Sequence, residues 1–152
     1  ALAPDNFQPG DPRILVLACE WSAAGAAELA GSRRADLPEN AVLLRMNCSA
    51  RFDPYHILWA FLQGADGVLL GACPPGECHY GMGNLYARER VEVLKKELAA
   101  RGVDPRRLRL EFFSVDDGLK FARIVNDFME EVEHQLADRG QMPSGVRMPI
   151  RR

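Results

Sequence analysis

The sequence contains Ile14-Leu15-Val16-Leu17-Ala18 and, further on, Val68-Leu69-Leu70-Gly71-Ala72, two unbroken apolar runs that decide the fold. Strands that are buried on both faces of a parallel sheet have this composition, whereas strands with one face in water alternate apolar and polar residues. Both runs are therefore predicted to be central strands of a parallel sheet.

Two further strands and four helices are predicted around these runs. The strand candidates are Val42–Met46, which carries an arginine, and Leu108–Phe112, in which apolar and charged residues alternate and one face is expected in water. The spacing of apolar residues, together with residues that start or end helices, predicts four helical segments. These are Trp21–Gly31, Tyr55–Gln63, Asn84–Ala100 and a last segment of about four to five turns from Phe121 onward.

The alternation of strands with helices defines the fold class. Parallel strands need crossover connections, which are right-handed, so the helices cover both faces of the sheet. We predict an α/β fold: a flavodoxin-like three-layer sandwich with a four-stranded parallel sheet in the order 2-1-3-4. The two apolar runs occupy its centre, and the arginine-bearing and alternating strands form its edges.

The length of the chain and the composition of its two ends favour one domain with two short extensions. A chain of 152 residues has the usual size of a single domain. Residues 1–12 contain three prolines and no apolar periodicity, which predicts an extended N-terminal arm. Residues 13–140 are predicted to form the single α/β domain, and residues 141–152 a C-terminal tail.

Charge and hydropathy exclude several classes of protein. The net charge of −2 offers no electrostatic reason to bind nucleic acid or an anionic membrane surface. The apolar runs are far shorter than the roughly 20 residues that span a bilayer, and no secretory signal is visible. We therefore expect a cytoplasmic protein, and in that reducing compartment four cysteines indicate a metal or redox site more often than two disulfides.

The four cysteines lie at or near the ends of the predicted strands. Cys19 ends the first strand, Cys48 lies just past the second, and Cys73 ends the third, with Cys78 five positions later. In open parallel sheets, ligands bind outside the carboxyl ends of the strands, at the point where the strand order reverses. The sequence therefore predicts that the four thiols converge at one edge of the sheet.

Four thiolates at one edge suit either an iron–sulfur cluster or structural zinc, since both accept sulfur ligands. Structural zinc usually uses two tight cysteine pairs, whereas only Cys73 and Cys78 are close in sequence here, which favours a cluster. Single buried cysteines can also pack as small apolar residues. A thiol–disulfide enzyme is a further alternative, although this pair is wider than the usual Cys-x-x-Cys.

The motifs around the cysteines resemble those of one family. They are Cys19-Glu20-Trp21, Met46-Asn47-Cys48-Ser49-Ala50-Arg51-Phe52-Asp53-Pro54, Gly64-Ala65-Asp66-Gly67-Val68, Cys73-Pro74-Pro75-Gly76-Glu77-Cys78-His79-Tyr80, Gly83-Asn84 and Arg88. Over about residues 13 to 137, the chain is similar to the delta (iron–sulfur) subunit of methyl-viologen-reducing hydrogenase. That module also occurs fused to, or encoded beside, flavoproteins like the A-type subunit of heterodisulfide reductase.

The resemblance implies a non-catalytic electron-transfer subunit that carries one 2Fe–2S cluster. It implies a relay between a partner of the hydrogenase or formate dehydrogenase type and the flavoprotein subunit of a heterodisulfide-reductase-like complex. The expected cluster ligands are Cys19, Cys48, Cys73 and Cys78. The alternative is a structural zinc-binding adaptor that joins two oxidoreductase subunits.

Three residues next to these cysteines are candidates for the surroundings of the cluster. Family members often carry a second cysteine three positions after the first, where this chain has Ser22, so Ser22 is expected beside the ligands or in a ligand position. Trp21 either shields the site from water or packs in the core. His79 either contacts the cluster, as a ligand or hydrogen-bond donor, or lies in a loop at a protein interface.

Overall fold

The computed structural model of the chain describes residues 12–138 and residue 140. Within this part of the chain, the sheet contains four parallel strands: β1 (Ile14–Cys19), β2 (Ala41–Met46), β3 (Gly67–Ala72) and β4 (Leu108–Phe112). Their order is β2-β1-β3-β4, which confirms the predicted order. The two apolar runs form the central pair, and β3 is buried along its whole length.

The described residues also contain four α-helices: α1 (Ala23–Ser32), α2 (Pro54–Leu62), α3 (Gly83–Ala100) and α4 (Gly118–Asp138). Two short 3-10 turns, η1 (Ser49–Arg51) and η2 (Pro105–Arg107), precede α2 and β4. The first three helices begin and end within one or two residues of the predicted bounds. The predicted start of α1 at Trp21 was two residues early, because Trp21 and Ser22 belong to the turn that leaves β1.

The last helix is longer than predicted. α4 contains 21 residues, which is nearly six turns instead of four to five. Its extra turn begins at Gly118, where a Cβ atom would lie 2.9 Å from the backbone nitrogen of Ala30. A glycine at this position allows α1 and α4 to cross closely. That requirement comes from the packing of two helices, so the apolar periodicity from Phe121 onward did not reveal it.

Apolar side chains fill both faces of the sheet and produce three layers. The core under α1 and α4 includes Ile14, Val16, Leu69, Phe121, Phe128 and Val132. The core under α2 and α3 includes Leu17, Ile57, Leu70, Val91, Leu94 and Leu98. Successive residues of β1 and β3 thus enter opposite cores, as expected of strands that are buried on both faces. The predicted flavodoxin-like three-layer arrangement is confirmed.

The edge strand β4 differs from its prediction in one respect. Its charged face was expected in water, but Arg109 and Glu111 are only partly exposed. They pair with each other at 2.7 Å, and Arg109 also reaches Glu131 of α4 at 3.6 Å. α4 therefore covers part of this face and supplies a carboxylate to the arginine, a contact between residues far apart in the sequence.

The ends of the chain leave part of the predicted organisation untested. Residues 1–11 and 141–152 lie outside the described residues, so the arm over 1–12 and the tail over 141–152 stay predictions. Pro12, the last residue of the predicted arm, is buried. Within residues 12–138, no helix combines the length and apolar character needed to cross a membrane.

Candidate metal centre

Three of the four cysteines lie at the carboxyl ends of adjacent strands. Cys19 ends β1 in register with Met46 at the end of β2, so Cys48 lies two residues beyond the same edge. Cys73 follows directly after the last residue of β3. The structure therefore brings these cysteines to the edge at which ligands of open parallel sheets bind.

The four thiols form two neighbouring pairs. The sulfur atoms of Cys19 and Cys73 are 3.7 Å apart, and both residues are buried. The sulfurs of Cys48 and Cys78 both lie against Gly83, 2.5 Å and 3.3 Å from the position that a Cβ atom would take there. Cys78 and Cys73 both act electrostatically on Cys48, so the two pairs adjoin. All four are free cysteines. Among the described residues, no three histidine, cysteine or carboxylate side chains are arranged to hold a single metal ion.

A tight turn carries the chain from Cys73 to Cys78. The N–H of Glu77 donates to the carbonyl oxygen of Pro74 at 3.0 Å, and Gly76 has a φ of 84°, which favours glycine. A proline precedes Gly76, a combination typical of a type II turn. The turn leads the chain back toward the sheet edge, with Cys73 buried and Cys78 partly exposed.

Asn84 anchors this loop to the start of α3. Its buried side-chain amide donates to the carbonyl oxygens of Cys73 at 2.9 Å and Pro74 at 2.7 Å. Its Oδ1 accepts the N–H of Leu85 at 2.9 Å. The sequence reasoning assigned no role to Asn84, because an asparagine at a helix start is most simply a capping residue. Its position after a loop with two cysteines was the available signal.

Gly83, the first residue of α3, lies directly against the second thiol pair. A Cβ atom at this position would be 2.5 Å from Sγ of Cys48 and 3.3 Å from Sγ of Cys78. No side chain fits there unless Cys48 moves. The absence of a side chain therefore allows the start of α3 to contact the thiols.

The two buried thiols at the ends of β1 and β2 are hard to ionise. Burial, assisted by the neighbouring Cys73, raises the pKa of Cys19 to about 11, even though the backbone N–H groups of Trp21 and Ser49 donate to its sulfur. Burial likewise raises the pKa of Cys48. In both cases, removal from water disfavours the thiolate more than the backbone donors favour it.

The pKa of Cys78 shifts in the opposite direction, below its ordinary value. Burial is the largest influence and acts to raise the pKa of Cys78, but the backbone N–H groups of Asn84, Tyr80 and Gly83 together outweigh it, and the pKa is lowered. Two of these donors belong to the first turn of α3, where free N–H groups and the helix dipole favour a negative charge. Cys78 therefore ionises more readily than an ordinary cysteine.

Trp21, His79 and Tyr80 form an aromatic cluster beside Cys19 and Cys78. The rings of Trp21 and His79 stack with their centroids 3.6 Å apart and an interplanar angle of 7°. Nε1 of Trp21 donates to the hydroxyl of Tyr80 at 3.3 Å. Trp21 is 47% exposed, so the interpretation that it packs in the core is wrong. His79 is exposed and makes no hydrogen bond to a thiol within the described part of the chain.

A polar pocket with positive charge lies on the Cys48 side of the site. It has a volume of about 490 Å³, and its lining includes Arg51, Arg90 and His56. The guanidinium of Arg90 donates to the carbonyl oxygen of Ala50 in η1. The surroundings of the thiols are therefore aromatic on one side and basic on the other.

The fold and the site define a class: a flavodoxin-like α/β protein with two adjoining thiol pairs at the carboxyl edge of its sheet. Comparison with known families identifies the particular one. The chain belongs to the family of the methyl-viologen-reducing hydrogenase delta subunit, whose model matches residues 14–135. The match runs from β1 into the last turns of α4 and contains all four cysteines.

Similar proteins fall into two groups. The chain is 42% identical over 118 residues to the iron-sulfur subunit of the F420-non-reducing hydrogenase of Archaeoglobus profundus, covering 78% of this chain and 86% of the relative. It is 37% identical over 123 residues to an iron-sulfur subunit of the same kind from Methanococcus voltae, covering 81% and 85%. It is also 39% identical over 122 residues to the A-type subunit of the ferredoxin/F420H2-dependent CoB-CoM heterodisulfide reductase of Methanosarcina acetivorans. There the match covers 80% of this chain and 15% of the relative, so the chain corresponds to a small part of that protein.

Proposed function

We propose that this protein is an electron-transfer subunit that holds one 2Fe–2S cluster on Cys19, Cys48, Cys73 and Cys78. The observation that carries the proposal is the pairing of the four thiols at one edge of the sheet. A bound 2Fe–2S cluster would supply reversible transfer of one electron. The residues around it bind it, limit its exposure to water and present it to partners.

The spacing of the thiols supports two metal ions with two cysteines each. Two thiolates on one tetrahedral metal ion, at a metal–sulfur distance of about 2.3 Å, lie ~3.8 Å apart. The sulfurs of Cys19 and Cys73 are 3.7 Å apart. Cys48 and Cys78 form the second pair beside them. Two adjoining pairs are the ligand set of an all-cysteine 2Fe–2S cluster.

The backbone donors support a negatively charged group at this site. The N–H groups of Trp21 and Ser49 donate to Cys19, that of Ala50 lies 3.5 Å from Sγ of Cys48, and three more donate to Cys78. Hydrogen bonds of this kind stabilise thiolates and help to set the reduction potential of a cluster. The Trp21–His79 stack lies next to Cys19 and Cys78, and we assign it the role of limiting water access on that side.

The relatives support the choice of partners. One group are hydrogenase iron-sulfur subunits, and the other are A-type subunits of heterodisulfide reductases that contain a similar segment. We therefore propose that this protein relays electrons between a hydrogenase or formate dehydrogenase-type partner and the flavoprotein of a heterodisulfide-reductase-like complex. Four free thiols are retained most easily in a reducing compartment, which is why we place the protein in the cytoplasm.

The cluster is tested on anaerobically purified protein by iron, acid-labile sulfide and zinc analysis, with an electron paramagnetic resonance spectrum after dithionite reduction. We expect about two iron atoms and about two sulfide ions per chain and a signal in the reduced state. Cys73→Ser is expected to abolish both the sulfide and the signal. Met82→Leu, which replaces the exposed sulfur-containing side chain at the start of α3, is the matched control and is expected to retain both. Zinc without sulfide in the wild-type protein would contradict the relay and support the adaptor.

The partners are tested by purifying the tagged protein from the cells that produce it. We expect a flavin-containing protein and a protein of the hydrogenase or formate dehydrogenase type to co-purify and to be identified by mass spectrometry. Reduction of the cluster by that dehydrogenase with its own substrate would support the relay. A complex in which the dehydrogenase reduces the flavoprotein at the same rate without this chain would contradict it.

A further inference from the structure

Two serines that closely follow cysteines of the site have buried hydroxyls without a hydrogen-bond partner in the described part of the chain. They are Ser22, which is 3% exposed, and Ser49, which is fully buried. Neither oxygen is in contact with solvent or bonded to another group within residues 12–138 and 140. Ser22 lies in the turn after Cys19, and Ser49 follows Cys48 as the first residue of η1.

Ser49 connects the two thiol pairs. It is the residue after Cys48 and the first residue of η1. Its backbone N–H donates to the sulfur of Cys19, which belongs to the other pair. The hydroxyl does not cap η1, because the sulfur of Cys48 already accepts the N–H of Ala50 there. The Ser49 hydroxyl therefore caps no helix, while the Ser49 backbone follows Cys48 directly and contacts Cys19 of the other pair.

Ser22 has an equivalent position beside β1. Its backbone N–H donates to the carbonyl oxygen of Cys19 at 3.2 Å, which holds it in the turn after the strand. Ser22 is the N-cap residue of α1, a position where serine hydroxyls usually accept a backbone N–H of the first turn. Here the hydroxyl makes no such bond. The common explanation for a serine at this position therefore does not apply.

A buried hydroxyl without a partner is destabilising, and native proteins rarely leave one in that state. Ser22 lies three residues after Cys19 and Ser49 directly after Cys48, so a ligand held by these cysteines would offer an acceptor close to both serines. Sulfur atoms of an iron–sulfur cluster carry negative charge, and they accept hydrogen bonds from nearby donors. A hydroxyl can rotate its proton toward such an acceptor without movement of the backbone.

We propose that the hydroxyl groups of Ser49 and Ser22 donate hydrogen bonds to sulfur atoms of the bound cluster and raise its reduction potential. The inference rests on the proposed function, because it requires a cluster on the four cysteines. The added electron increases the negative charge on the sulfurs. The hydroxyl donors therefore stabilise the reduced state more than the oxidised state, and both serines act as positioning residues that tune the cluster.

The test compares Ser49→Ala, Ser22→Ala and the double variant with the wild-type protein. The midpoint potential is measured by anaerobic redox titration with electron paramagnetic resonance detection. At a fixed potential, we expect each single variant to lower the ratio of reduced to oxidised cluster about tenfold, which corresponds to about 59 mV for a one-electron couple. The double variant is expected to shift further than either single variant.

Ser32→Ala is the matched control. Ser32 is an exposed serine at the end of α1 whose hydroxyl donates to the carbonyl oxygen of Leu29 at 2.9 Å, so no shift of the potential is expected. The cluster-free forms give a second readout, urea unfolding. There Ser49→Ala is expected to be as stable as the wild type or more stable, because an unsatisfied buried group has been removed.

Two results would overturn the inference while leaving the proposed function intact. One is a normal iron and sulfide content in both single variants with an unchanged midpoint potential. The other is a loss of stability in the cluster-free Ser49→Ala and Ser22→Ala proteins, which would mean that the hydroxyls have protein partners. Failure of the proposed function is seen separately, as the absence of iron and sulfide from the wild-type protein.

Discussion

Cys19 and Cys78 belong to the same group of thiols, yet their pKa values shift in opposite directions. Cys19 is buried at the end of β1, and this burial raises its pKa to about 11. Cys78 is partly exposed, and backbone N–H groups at the start of α3 lower its pKa despite some burial. Since the thiolate is the reactive form of cysteine, the two residues should differ in reactivity when no cluster is bound.

In the cluster-free protein, we therefore predict that iodoacetamide alkylates Cys78 first at pH 8 and Cys19 far more slowly. A pKa of about 11 in place of 9.0 leaves Cys19 with about a hundredfold less thiolate at this pH than an ordinary cysteine. Its alkylation rate should keep rising up to about pH 11, whereas that of Cys78 should level off earlier. Peptide mapping by mass spectrometry follows each site, and equal labelling rates at pH 8 would contradict the assignment.

The same residues show what sequence patterns can reveal about single side chains. The four cysteines were predicted as one group, because each follows or adjoins a strand of a parallel sheet. Asn84 received no role, and the contact of Gly83 with one particular thiol was not predicted. What they do depends on two carbonyl groups of the preceding loop and on the sulfur of Cys48, and these contacts exist only once the loop is folded.

At the scale of the element, α3 is important because its first turn lies against the thiols. We predict that Gly83→Ala displaces Cys48, since the added Cβ would lie 2.5 Å from its sulfur. Overpacking of this kind costs about 1–3 kcal/mol of the free energy of unfolding. The cluster content should fall as well, because one ligand is moved away from its pair.

Gly31→Ala is the matched control for this variant. Gly31 also lies in a helix, and a Cβ atom there would have no neighbour within 4 Å. Alanine should therefore stabilise the protein by about 0.5–1 kcal/mol through its higher helix propensity and leave the cluster unchanged. Urea unfolding and iron analysis of both variants measure the two effects. A Gly83→Ala protein with full iron content would show that α3 does not contact the ligands as described.

The sequence predicted which segments form helices and strands better than it predicted where they begin and end and which of their faces are covered. α2 was recognised from the capping Asp53, whose Oδ1 accepts the N–H of Tyr55 at 2.8 Å, and from the proline that follows it. The extra first turn of α4 depends on its crossing with α1, and the partly covered face of β4 depends on Glu131 of α4. Neither contact is encoded in the periodicity of one segment.

At the scale of the whole molecule, the proposed cluster would link four separate segments. Its ligands follow β1, β2 and β3 and precede α3, so they connect the middle of the sheet with one edge and with a covering helix. A group that binds the folded state and not the unfolded chain stabilises the fold. We predict that removal of the cluster lowers the free energy of unfolding by at least about 2.7 kcal/mol, the value for a ligand at a hundred times its Kd.

Urea unfolding of the loaded and cluster-free proteins under anaerobic conditions, followed by circular dichroism, measures this difference. Reconstitution of the cluster-free protein with iron and sulfide is the control and should restore the original unfolding midpoint. Equal midpoints before and after removal would show that the four segments hold their positions without the cluster. In that case the site would contribute to electron transfer alone and not to stability.

By itself, the sequence determined the number of layers, the order of the strands and the edge at which the cysteines meet. These features follow from local patterns: two unbroken apolar runs demand burial on both faces, and parallel strands with helical crossovers leave one carboxyl edge for all of their ends. The tertiary structure alone decided how the thiols pair, which of them ionises easily, and that Ser49 and Ser22 are buried without partners. The physical reason is that distance, burial and hydrogen bonding at this edge depend on residues brought together from β1, η1, the Cys73–Cys78 loop and α3.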